Sequence, residues 1–191
     1  MSDAVIASGV VAVAVFGFAP QNQAMLAAGA ARTVRPVLDT MFVSLCGWLL
    51  LFGLALGLLR LLPAWIGGAA VIFASLLLAV AGLSRYMADP GTRRDPVAAI
   101  THPALPRHYL QSPESWAVAF FLAGSAAGGS VTLAAAFAGL TLLTIFSLAL
   151  WATAGWAGCQ YLASRWHRRH LDWGLGILMF FAAMASLTPS G

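Results

Sequence analysis

Three amides follow a proline inside an apolar stretch, at Pro20, Gln21, Asn22 and Gln23. Proline removes a backbone donor and disfavours a helical residue before it. In lipid, the backbone groups it frees are tolerated only against protein or a water-filled cavity. The chemistry this arrangement suits is the binding of a small polar solute. A helix restarting at Pro20 has a partially positive N-terminus that favours a carboxylate, and the three amides add hydrogen-bonding groups. A second break stands at Ser112, Pro113, Glu114, Ser115 and Trp116. There Ser112 is placed as an N-cap with Pro113 at the first helical position, and Glu114 is favoured in the first turn by the helix dipole. Asp39 is the third candidate. It either meets a substrate ammonium or a coupled proton, or pairs with Arg35 one turn earlier. Asp39 and Cys46 share a helix face, and Ser44 lies on a different one.

Other chemistries find little support. His167 and His170 have helical spacing, but Arg165, Arg168 and Arg169 crowd them with positive charge. His102 and His108 fall in a Pro-rich loop, and no acid completes a metal site, so neither a metal nor a cofactor is expected. No G-x-S-x-G, Walker or G-x-G-x-x-G pattern suggests an enzyme or ATPase. Cys46 and Cys159 lie in apolar runs and read first as small buried hydrophobes. The alternative is a membrane thiol or redox carrier, which needs both cysteines reactive and facing each other. A structural membrane subunit without substrate is a further reading.

The elements that must position these residues are membrane helices. Of 191 residues, 61% are apolar and 8% charged, against about 25% charged in a soluble domain. This predicts a single all-α integral membrane domain over 1–191. Six segments are expected, at about 4–33 (interrupted at Pro20), 36–60, 64–85, 113–128, 132–164 and 170–188. Residues 1–19 carry no basic n-region, and 15–19 hold no A-x-A site, so the segment reads as a helix rather than a signal peptide. A Pro- and Arg-rich loop divides the chain into a first three-helix half (1–86), the loop (87–111) and a second half (112–191). Gly53-x-x-x-Gly57 and Gly124-x-x-x-Gly128 would let helices approach closely.

All basic residues are Arg, and all but Arg60 fall in loops on one side of this scheme. The positive-inside rule makes that side cytoplasmic and both termini extracytoplasmic. The net charge of +4 is then topology information, and no nucleic-acid partner is expected. Trp65, Trp166 and Trp173 are placed as interfacial anchors. With three segments in each half, the halves enter the membrane from opposite sides. If they share a fold they form two inverted three-helix repeats with Pro-broken helices, an architecture suited to alternating access.

The stretch Phe18-Ala19-Pro20-Gln21-Asn22, followed by Gly29-Ala30-Ala31-Arg32, resembles the LysE family of amino-acid exporters. The family's lysine/arginine branch has Gly-Pro-Gln-Asn there, then a glycine and basic residues. Its Leu-Asn-Pro signature resembles Leu110-Gln111-Ser112-Pro113, and the small-residue run Gly124 to Gly129 follows as in the family. The resemblance implies a secondary transporter in a bacterial inner membrane, driven by the membrane potential or a proton gradient. It implies an amino-acid substrate bound between the breaks by Pro20, Gln21, Asn22, Gln23, Asp39, Ser112, Pro113 and Glu114. Lipid is the other expected partner, and a homo-oligomer stays open. Two aspartates of the lysine/arginine branch fall near Cys46 and Val118 here, so both carboxylates are missing. A second substrate cation would lack its counter-charge, which favours a neutral amino acid or a related metabolite.

Overall fold

The computed structural model describes residues 15–16, 20–87, 104–129, 131–157 and 165–187. Seven helices lie within them: α1 (Pro20–Ala30), α2 (Val34–Leu61), α3 (Ala64–Met87), α4 (Ala104–Gln111), α5 (Pro113–Ala127), α6 (Leu133–Trp156) and α7 (Arg165–Leu187). No strand occurs among the described residues. The all-α expectation therefore holds. The parts of the expected first and fifth segments at 4–14 and 158–164 lie outside the described residues.

Three helices are long and apolar enough to cross a membrane, over Val34–Leu61, Trp65–Ser84 and Leu133–Trp156. The 28 residues of α2 reach about 42 Å, beyond the roughly 30 Å hydrocarbon core. The other apolar helices are shorter. The 11 residues of α1 reach only about 16 Å and the 15 of α5 about 22 Å. Both short helices begin at a proline, where the missing N–H costs nothing because first-turn donors have no intrahelical partner.

The helix ends follow local chemistry. Arg32 adopts φ 53°, the left-handed conformation that ends α1, and its N–H donates to Gly29 O at 2.9 Å. Only Ala31, Arg32 and Thr33 separate α1 from α2, so the two run back on each other. Leu62 and Pro63 separate α2 from α3, as the turn there predicts. Gly129 at φ 77° lets the chain leave α5, and Thr132 caps α6 through the Ala135 N–H.

One element departs from expectation. The loop before Pro113 ends in a helix, α4. Pro106 is its third residue, inside the first turn where proline is tolerated. A single non-helical residue, Ser112, joins α4 to α5.

Packing interleaves the two halves of the chain. The short α1 lies along α6, the short α5 lies along α2 and α3, and α3 packs against α7. The main core gathers Leu51, Phe52 and Ala55 of α2, Ala74 and Leu78 of α3, Phe121 and Ala123 of α5, and Met179 and Ala183 of α7. A second cluster joins Met25 of α1 to Leu148 and Trp151 of α6. Buried positions on α2 recur at Ser44, Trp48, Leu51, Phe52, Ala55 and Leu59, the three-to-four spacing of one inward stripe. The opposite face exposes Phe42, Leu50, Leu54 and Leu58, as a lipid-facing surface would.

Glycines set the closest approaches, at positions other than those expected. A Cβ on Gly29 would collide with the Ala152 carbonyl of α6, and one on Gly155 with the Leu26 carbonyl of α1. On α3, a Cβ at Gly82 would come 2.6 Å from Gly176 O of α7. Gly124 does face α3, where Gly67 O would lie 3.0 Å away, so this half of the expectation holds. Gly53 and Gly57, by contrast, are exposed with nothing within 4 Å, and they bring no helices together among the described residues.

Candidate functional site

Each break starts a short helix that packs along a long one, α1 on α6 and α5 on α2. Gln21 and Asn22 open α1 and are buried, while Gln23 beside them is half-buried. Facing them is Ser147, near the centre of α6 and fully buried. Asn22 Nδ2 donates to the Val15 carbonyl at 2.8 Å. The Ser147 hydroxyl lies 3.2 Å from that carbonyl and 3.4 Å from Asn22 Oδ1, so its one hydrogen has two acceptors in reach. The Val15 carbonyl, upstream of Pro20, thereby has two side-chain donors in reach. In an apolar surrounding, leaving it bare would cost about 1–3 kcal/mol. The amide of Asn22 thus ties the start of α1 to Val15 upstream of Pro20.

The second junction is built differently. Ser112 caps α5, its Oγ accepting from the Ser115 N–H at 3.3 Å, as the sequence predicts. The Trp116 indole N–H donates to Leu110 O at 2.8 Å and pins the last turn of α4 to the first turn of α5. Pro113 is exposed, Glu114 half-buried and Ser115 buried. Tyr109 of α4, 1% exposed, is driven against the centre of α2. Its ring stands edge-on to Trp48, with centroids 5.5 Å apart at 69°. Gly47 makes the approach possible, since a Cβ there would fall 2.7 Å from the ring.

Three polar atoms at this second junction are buried without a hydrogen-bond partner in the protein: Ser44 Oγ, Trp48 Nε1 and Tyr109 OH. Ser44 and Trp48 are one turn apart on the inward stripe of α2. Burial pushes the Tyr109 phenol well above its usual pKa, and the nearby Ser44 hydroxyl offsets this only in part. The phenol therefore stays protonated at physiological pH. The two hydroxyls are close enough to influence each other but do not meet in hydrogen-bonding geometry.

Asp39 is not brought to either junction. Its side chain is 56% exposed and sits 3.9 Å from the guanidinium of Arg35. Cys46, on the same face of α2, is also exposed and a free thiol, away from the buried stripe. Cys159 lies outside the described residues. No cluster of three metal-ligating side chains exists among the described residues. The Tyr86 and Trp173 rings meet at 5.7 Å, and the Arg169 guanidinium stacks 4.4 Å over Trp173. This joins α3 to α7 near the basic end expected at the interface.

Reading the sequence alone missed Ser44, Trp48, Tyr109 and Ser147. A signal for three of them was present. Ser44-Leu45-Cys46-Gly47-Trp48 and Ser147-Leu148-Ala149-Leu150-Trp151 repeat one Ser-Leu-x-x-Trp pattern in α2 and α6. In both helices the Ser and the Trp are buried. Comparison with protein-family models, with characterised proteins and with solved structures finds no match to this chain.

Proposed function

We propose that the chain is a secondary transporter that exports an amino acid or a close derivative across a bacterial inner membrane. The observation that carries this is the pair of proline-initiated short helices, each packed along a membrane-length helix of the other half and burying polar side chains in its first turn. Irregular backbone at membrane depth, repeated in two halves, is the pattern of carriers that bind solute near the midplane. The resemblance of the Pro20 and Pro113 segments to the LysE family points the same way.

An inverted pair of three-helix repeats is supported by the exchange of short helices. In each half the short helix packs on the long helix of the other half, α1 on α6 and α5 on α2. A two-fold axis in the membrane plane would relate these contacts. Rocking one half against the other would then open the polar middle to each side in turn.

A neutral substrate fits best. Among the described residues, the fully buried polar side chains are amides and hydroxyls, and none is charged. A second substrate cation would find no buried counter-charge there. The test is counterflow in proteoliposomes loaded with each unlabelled amino acid in turn. Exchange of neutral amino acids with little exchange of lysine or arginine is the expected result. Absence of exchange across the panel by folded protein would overturn the reading.

A further inference from the structure

Resting on the transporter reading, we propose that Ser44, Trp48 and Tyr109 form a receptor for one carboxylate group, beside the start of α5.

The donor set suits an acceptor-only ligand. Trp48 offers an indole N–H that can only donate, and Ser44 and Tyr109 each offer an O–H. All three atoms are buried and have no partner in the protein. A carboxylate presents two oxygens with about four acceptor directions, so it can take all three hydrogens at once. The Ser44 and Tyr109 hydroxyls can also accept, so an amide or alcohol meets the hydrogen-bond count as well, and the preference for a carboxylate rests on its charge. Hydrogen bonds to an ionised group are shorter and stronger than neutral ones, the more so where the surroundings are apolar.

The position adds a fixed field. Tyr109 stands in the last turn of α4, and α5 begins after the single residue Ser112. The N-terminus of α5 carries a partial positive charge that favours an anion nearby. Its first-turn acid, Glu114, is half-buried and already engaged in an interaction of its own. On the α1 side Asn22 and Ser147 are committed to the Val15 carbonyl, and the Thr144 hydroxyl of α6 is buried there as a lone donor rather than one of three. The carboxylate is therefore assigned to the α2–α4–α5 junction rather than to the amides after Pro20.

Acetate and acetamide, equal in size and differing in charge, are the probes. Each is titrated against the full-length protein in detergent, following its melting temperature and tryptophan emission. Saturable stabilisation by acetate, and none by acetamide at equal concentration, is expected. Tyr109→Phe and Ser44→Ala should each raise the half-saturating acetate concentration by about tenfold or more, the loss expected for one hydrogen bond to a charged group. Either variant suffices should the other fail to fold. Equal responses to acetate and acetamide would overturn the site. So would a variant that melts differently from wild type yet keeps its half-saturation, since the cluster would then serve packing or a resident water alone. Acetate binding requires no transport, so a negative counterflow panel with a positive acetate response overturns the transporter reading and leaves the receptor standing. Exchange with no acetate response does the reverse.

Discussion

The two proline junctions differ in how their polar groups are used. At Pro20 the side chains that open the helix close on the protein itself: Asn22 and Ser147 bond the carbonyl of Val15, and α1 is clasped to α6. That leaves the Thr144 hydroxyl, one turn earlier on α6, as a single buried group without a partner in the protein. At Pro113 the helix is capped by Ser112, and the neighbouring Ser44, Trp48 and Tyr109 are buried with no partner in the protein. A buried and bonded group stabilises a fold, whereas a buried and unbonded one costs stability and is retained for something else. The first junction therefore reads as a pin and the second as a receptor. The asymmetry extends to packing, because α5 lies against α3 as well as α2, while among the described residues α1 has no comparable packing on α7.

The contrast breaks most sharply where helices meet backbone to backbone. Gly29→Val or Gly155→Val would push α1 off α6, because the Cβ position is filled by a main-chain carbonyl that cannot swing aside. A loss of about 3 kcal/mol or more, or failure to fold, is expected in detergent denaturation. Gly53→Val meets open space and should leave stability within about 0.5 kcal/mol. Next comes the pin itself. Asn22→Ala removes one of the two donors to a buried carbonyl and leaves Ser147, so it should cost about 1 kcal/mol, whatever it does to transport. Ser44→Ala and Tyr109→Phe delete groups that have no partner, and should be neutral or slightly stabilising in the absence of ligand. Equal destabilisation by Asn22→Ala and Ser44→Ala would erase the distinction between pin and receptor. Ser112→Ala should cost about 1 kcal/mol by uncapping α5.

Much of this scaffold was legible in the sequence, and the reasons for the rest are physical. Pro20 and Pro113 announced helix starts because a missing N–H is harmless only in a first turn. The ends of α2 and α3 followed from apolar run length and the Leu62–Pro63 turn. The α4 helix was hidden because eight residues containing Pro106 have no helical tendency on their own, and what orders them is Tyr109 seated between Gly47 and Trp48. Ser147 could not be paired with Asn22 by any local rule, since 125 residues separate them. The glycine spacing at Gly53 and Gly57 misled because a small-residue pattern does not say which face of the helix turns inward. On α2 the polar and aromatic stripe through Ser44 and Trp48 turns inward instead.

The smallest expected effect concerns Asp39, and it decides how far the charged residues matter at all. Asp39 lies within the first two turns of α2, where the helix dipole favours an acid, with Arg35 one turn before it. The pair is largely exposed, 3.9 Å apart, and has the basic residue on the N-terminal side, the weaker order on a helix. Asp39→Asn should therefore cost no more than about 0.5 kcal/mol. A substrate ammonium or a coupled proton held by Asp39 would predict something else: loss of exchange with stability intact, and a changed pH dependence of transport. Ser44→Ala separates the two schemes from the other side, because it should weaken carboxylate binding while Asp39→Asn leaves it alone. A carrier that loses exchange in Asp39→Asn and keeps wild-type acetate binding in Ser44→Ala would have its solute path along the outer face of α2. The buried stripe that now distinguishes the two junctions would then be packing alone.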